Sequence, residues 1–111
     1  MPTRRLEKEQ WQPYFDRISR ELPATNVDVQ VSGADMGVQT ESRKIPLLGL
    51  TYDPRDDAFS ILCENLEHRV TKPRSIAVEE AGGELEAVEI IDEEDHRHIA
   101  KLSGPLQLPP R

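Results

Sequence analysis

The sequence predicts an α+β domain: one N-terminal amphipathic helix packed on a curled antiparallel sheet, or partial barrel, of about seven short strands. Three observations predict it. Apolar side chains between positions 7 and 22 recur at helical spacing, and from position 26 onward they recur at every second residue. Turn-forming residues then cut that second region into short segments joined as hairpins.

In the segment Glu7 to Leu22, Trp11, Phe15, Ile18 and Leu22 are spaced by four, three and four, one face of a helix with Tyr14 beside it. Pro13 fits only if the helix begins near Glu9 or Gln10, where a missing N–H costs little. Pro23 is the expected stop. Most of the aromatic residues lie here, so the helix is expected to cover the sheet as its apolar lid.

Val27, Val29 and Val31 alternate with Asp28, Gln30 and Ser32, a half-buried strand. Gly33 and Gly37 bracket a loop containing Asp35. A weaker strand, Val38 to Arg43, leads through Ile45 and Pro46 into another, Leu47 to Tyr52. Asp53-Pro54-Arg55-Asp56-Asp57 is a turn, since Pro suits its second position and Asp bonds back to nearby backbone. Ala58 to Glu64 puts Phe59, Ile61 and Cys63 on one face. After Asn65, Leu66, His68 and Val70 share a face until Lys72-Pro73 breaks the ladder. Ile76 and Val78 begin a further strand, Ala81-Gly82-Gly83 signals a hairpin, and Leu85 to Ile91 returns. There Val88 and Ile90 share one face while Leu85 and Ile91 take the other, which asks for a bulge or burial on both sides. His96 to Leu102 follows the turn at Glu93-Glu94-Asp95. The domain is expected to span residues 1–102, with a Pro-rich, extended and mobile tail over 103–111.

The chain has 111 residues, 36% of them hydrophobic and 32% charged, enough for one core without disulfide or metal staples. No apolar run is long enough for a membrane span, and Met1 to Gln10 is not a secretory signal. One cysteine, Cys63, fits a reducing compartment, and the expected location is the cytoplasm. The net charge of −7 is local. Glu79 to Asp95 holds nine acids and no Lys or Arg, leaving the rest of the chain slightly basic. That sign argues against general phosphate-backbone binding.

Four constellations bear on chemistry. His96 and His98 lie two apart on a strand, so both imidazoles project from one side, with Glu94 and Asp95 near and His68 as a third nitrogen ligand. The plainer account is a polar pair at a hairpin exit. A separation above about 8 Å between the His68 and His98 side chains would rule out a common ion, given metal–nitrogen bonds of about 2 Å. Asp53, Asp56 and Asp57 lack the spacing of a calcium loop and read as turn residues. Cys63, in register with Phe59 and Ile61, reads as a buried small hydrophobe. Arg69, Lys72 and Arg74 could contact an anion, although cross-strand pairing with the acidic segment accounts for them as well. Within that acidic segment Glu79, Glu84, Glu86 and Glu89 form a candidate surface for a basic partner, or simply a solvated face. No catalytic motif and no cofactor fingerprint is present.

Several phrases carry a family resemblance: Trp11-x-x-Tyr14-Phe15-Asp16 with Ser19, Gly37-x-Gln39, Ile45-Pro46-Leu47-Leu48-Gly49-Leu50-Thr51-Tyr52-Asp53-Pro54-x-Asp56-Asp57, His68-x-Val70, Pro73-x-x-Ile76 and Arg97-His98-Ile99. From about Thr3 to Leu102 the chain resembles a family of short, uncharacterised bacterial proteins catalogued as a domain of unknown function. The resemblance implies no activity and no catalytic residue. The expectation is therefore a small, soluble, non-enzymatic domain that binds another protein or a second copy of itself through the face or edge of its sheet. The runner-up is a small-ligand or metal-binding protein using His68, His96 and His98 with neighbouring carboxylates.

Overall fold

A computed structural model describes residues 3–20, 25–35 and 37–107, with the side chains of 41–42 and 104–107 aside. The elements in chain order are β1 (Thr3–Arg5), α1 (Lys8–Arg20), β2 (Asn26–Gly33), β3 (Gly37–Asp53), β4 (Ala58–Cys63), β5 (Leu66–Thr71), β6 (Pro73–Ala81), β7 (Glu84–Asp92) and β8 (Arg97–Gln107). Among the described residues the strands form one eight-stranded sheet in the order β1-β6-β7-β8-β2-β3-β4-β5. Every pairing is antiparallel. The α+β architecture is as expected, but the partial barrel is not. The end strands β1 and β5 do not pair, so the sheet stays open.

The strand inventory also differs from the expectation. β1 has three residues, too few to show a period-two pattern, and is held in place by pairing with β6. The two segments expected on either side of Lys44 run as the single 17-residue strand β3. Three register shifts interrupt its ladders, one between Val29 and Gln30 of β2 and two more, at Lys44 and at Leu48. Val27 pairs with Ile45 and Val29 with Ser42, so Arg43 and Lys44 together face Asp28. Lys44 takes a positive φ there and donates its N–H to Asp28 Oδ1 at 2.6 Å. Further on, Leu47 opposes Cys63 and Gly49 opposes Leu62, which leaves Leu48 as an extra residue pushed outward and 61% exposed.

A bulge between β6 and β7 explains the mixed facing of the returning strand. Glu79 pairs with Ala87 and Glu80 with Leu85, so Glu86 is the extra residue. The insertion brings Leu85 to the same interior as Val88 and Ile90, and all three are fully buried. Gly82 and Gly83 both have positive φ, as a two-residue primed hairpin turn requires. β8 continues past the expected limit at Leu102 to Gln107 and pairs again with β7, so the backbone of 103–107 is strand and not a loose tail. The last four residues lie outside the described residues, as do Leu22 and the expected stop at Pro23.

Helix α1 begins at Lys8, slightly earlier than Pro13 was expected to allow, and Pro13 sits on its exposed side. Its N-terminus is closed by Gln10, whose side chain accepts the Glu7 N–H at 3.0 Å. Trp11, Phe15 and Ile18 are buried against the sheet, with Trp11 edge-on to Tyr52 and Phe15 edge-on to Phe59. They join one core with Leu6 and the interior valines, leucines and isoleucines of β2 to β8. Near the end of the helix the Ser19 hydroxyl donates to the Leu50 carbonyl at 2.7 Å and accepts the Leu50 N–H at 3.0 Å. Both backbone groups of Leu50 thus point away from β4 and are satisfied by one side chain.

Ser19→Ala should cost about 1–3 kcal/mol, because it strands a buried donor and acceptor together. Phe15→Ala should cost about 3–5 kcal/mol through a core cavity. Urea unfolding of both variants, with an unchanged slope, checks the order and the size of the two losses.

Candidate functional site

The three histidines come from β5, from β8 and from the turn before β8; His96 and His98 meet at the Asp92 carboxylate, and His68 reaches it through His98. His98, on β8, is buried, and its Nδ1 lies 2.9 Å from His68 Nε2 on β5. Its Nε2 lies 2.9 Å from Asp92 Oδ2 at the end of β7. A carboxylate only accepts, so His98 donates to Asp92 through Nε2–H, and a neutral His98 ring then accepts from His68 at Nδ1. The His68 and His98 side chains are far closer than the 8 Å that would have separated them from a common ligand.

Asp92 is the hub because the β7–β8 turn is built around it. Its Oδ1 accepts the N–H of Glu94 at 2.9 Å and of His96 at 3.0 Å. Its own N–H donates to the His96 carbonyl and its carbonyl accepts from Asp95. Asp95 takes the positive φ that closes the turn. His96 turns its Nδ1 toward Asp92 Oδ2 at 3.8 Å and its Nε2 toward Asp35 Oδ1 at 3.1 Å. The ring rests on Gly33, where a Cβ would lie 2.5 Å from its Cδ2. Asp92, Glu94 and His96 bring ligand-capable atoms within 4.8 Å of one another.

These contacts set the electrostatics. Burial pushes the Asp92 carboxyl up, but hydrogen bonds from His98 and from the His96 and Glu94 amides outweigh it and hold the group below its ordinary value. His96 is raised, first by its hydrogen bond to Asp35 against a smaller opposing effect of desolvation, then by the charges of Asp35, Asp92 and Glu94.

The remaining candidates are placed differently. Arg69 pairs with Asp56, Lys72 with Glu93 and Arg74 with Asp95. Glu79, Glu84, Glu86 and Glu89 are half-buried on β6 and β7, and Glu89 is bridged by Arg97 at 3.2 Å. Neighbouring Glu80 receives both Arg4, through two contacts of 3.3 Å, and the Tyr14 hydroxyl at 2.5 Å. Burial and that hydrogen bond raise the Tyr14 phenol. A groove of about 710 Å³ runs along α1 here, lined in part by Arg4, Tyr14, Arg17 and Glu80, and includes none of the histidines. In the turn after β3, Asp57 accepts from the Tyr52 hydroxyl at 2.7 Å and Asp53 from the Arg55 N–H at 2.9 Å. Burial and Asp57 push the Tyr52 phenol up to about 12. Cys63 is buried, and burial raises its thiol.

The sequence reading missed Asp92 and Asp35. Asp92 had one available signal, an Asp opening a turn of Glu-Glu-Asp, where its carboxylate caps the following amides. Nothing in the order of residues linked Asp35 to His96.

Two opposite pH limbs follow. Asp92 has a depressed pKa when folded, so its contribution is present above its ordinary value of 3.8 and is lost as pH falls through the folded value. His96 has a raised pKa when folded, so its contribution is present below its ordinary value of 6.5 and is lost as pH rises through the folded value. Thermal melts across pH should show both contributions together between about pH 4 and 6.5. Asp92→Asn should flatten the acid limb and His96→Gln the neutral one; unchanged profiles in both would contradict the geometry.

The chain was compared with known proteins. No solved structure matches it. An uncharacterized protein of Aquifex aeolicus (strain VF5) is 41% identical over 110 residues, covering 98% of this chain and 99% of the relative. The model of a family of unknown function, DUF5335, matches residues 2–111. By both measures, the chain belongs to that family.

Proposed function

We propose that the chain is a protein-interaction domain whose contact surface is the open end of the sheet around the β4–β5 hairpin. The observation that carries this reading is the pairing of two exposed apolar side chains with a free strand edge. Leu48 and Leu66 are 61% and 38% exposed. Both sit at the same end of the sheet, two strands apart, because Leu47, next to Leu48, opposes Cys63 and Cys63 opposes Leu66. β5 ends the strand order, and its outer edge offers backbone N–H and C=O groups to an added strand. The acidic segment is less suited to the role, because Glu80, Glu89 and Glu93 already hold Arg4, Arg97 and Lys72. Among the described residues no helix is long and apolar enough to cross a membrane.

The second reading, a small-ligand or metal protein, is favoured by one specific observation, the 2.9 Å contact between His68 and His98. Neither reading needs a catalytic residue.

Light scattering over a range of concentrations tests the first reading, with a second copy as the simplest partner. Self-association should rise with concentration and disappear in Leu48→Glu/Leu66→Glu, whose circular dichroism should match the parent. A monomer at every concentration, together with equal binding of an apolar dye by parent and variant, would remove it.

A further inference from the structure

We propose that Asp92, Glu94, His96 and His98 form a site for one divalent transition-metal ion of the zinc class, held from outside by Asp35 and His68. This rests on the second reading above and replaces its ligand set: His68 moves from ligand to supporting partner, and two carboxylates enter.

Ligand atoms of Asp92, Glu94 and His96 lie within 4.8 Å of one another, and His98 Nε2 joins them through its contact with Asp92. Metal–ligand bonds of about 2.0–2.1 Å in a tetrahedron place neighbouring ligand atoms about 3.3 Å apart. Asp92 Oδ2 is 2.9 Å from His98 Nε2 and 3.8 Å from His96 Nδ1, values that straddle this spacing. Glu94 brings its carboxylate within 4.8 Å of the Asp92 and His96 ligand atoms. It is exposed, so the fourth ligand can close over an ion from the solvent side. Asp92 Oδ1 is engaged by two backbone amides, which aims Oδ2 toward the histidines.

The outer partners are the stronger argument. A histidine that binds a metal through one nitrogen characteristically donates its other N–H to a fixed acceptor. His96 has Asp35 at Nε2, 3.1 Å away on the β2–β3 hairpin, leaving Nδ1 for the ion. His98 has His68 at Nδ1, leaving Nε2 for the ion. When the ion takes the place of the His98 Nε2 proton, that proton leaves to solvent, the His68 Nε2 proton passes to His98 Nδ1, and His68 takes one proton from solvent at Nδ1, so both rings stay neutral and His98 now donates to His68. Gly33 gives the His96 ring the space in which this geometry exists. Two imidazoles and two carboxylates suit a borderline ion better than a hard one such as calcium.

The test uses the full chain with cobalt(II) as a visible probe and zinc(II) as its competitor. The expected result is one saturable equivalent of cobalt with tetrahedral-type visible bands, displaced by zinc. Glu94→Gln and His96→Gln, on exposed and half-exposed positions that leave the core intact, should each weaken binding by at least tenfold. Asp35→Asn and His68→Gln should weaken it by about 10–100-fold while keeping one equivalent and the same bands. Gly33→Ala should act like His96→Gln by displacing the ring. If the parent chain binds no saturable equivalent of either ion, both this site and the ligand-binding reading fall. If His68→Gln abolishes binding while Glu94→Gln and His96→Gln leave it untouched, the ion lies between His68 and His98, which overturns this ligand set and preserves the broader reading.

Discussion

Leu50 presents its N–H and C=O to a side of β3 where β2 has already ended, and the Ser19 hydroxyl takes both. Much of the architecture depends on that contact. β3 pairs with β2 as far as Pro46, with one more backbone bond from Leu47 to Thr25, and with β4 from Leu47 onward. A strand that changes partners exposes backbone at the crossover, and buried backbone without a partner is costly. The end of α1 fills that place. The same docking lays Phe15 against Phe59 and Trp11 against Tyr52, so polar satisfaction and apolar burial fix one helix position.

Legibility in the sequence followed the length over which a pattern persisted. Trp11, Phe15 and Ile18 repeat over about two turns, and the helix could be read from them directly. Val27, Val29 and Val31 served equally well for β2. β1 is visible only as a partner of β6, since three residues carry no period. The union of two expected strands into β3 was hidden because Pro46 and the turn-like Lys44 look like interruptions; the Asp28 carboxylate and an extra residue in the ladder accommodate the irregular stretch at Lys44. The histidines were legible as chemistry but not as geometry. Thirty residues separate His68 from His98, and only the three-dimensional path places them in contact. Asp92 was concealed inside a run of acids whose members look interchangeable in sequence. Their roles diverge: Asp92 organises a turn from within, while Glu93 and Asp95 meet Lys72 and Arg74 at the surface.

The acidic segment therefore has two physical characters. On β6 and β7 its carboxylates are half-buried, and several are held by Arg4, Tyr14 and Arg97. At the β7–β8 turn, they surround imidazoles. The exposed pairs contribute little to stability individually. The buried His98–Asp92 contact differs, since losing either partner leaves the other desolvated. Net charge describes neither environment; what matters is which carboxylate is withdrawn from water and what meets it there.

The central position of β8 has a kinetic consequence. β8 lies between β7 and β2, so one edge of β2 stays open until the chain has been made through at least Leu102. β1 likewise waits for β6, more than seventy residues later. During synthesis the early valines of β2 and the apolar face of α1 leave the ribosome long before their covering strands exist. Pairings this distant in sequence carry a large loop-closure cost and slow folding. The native sheet is completed only once β8 has been made, and until then the unpaired edge of β2 is the segment most in need of protection from aggregation.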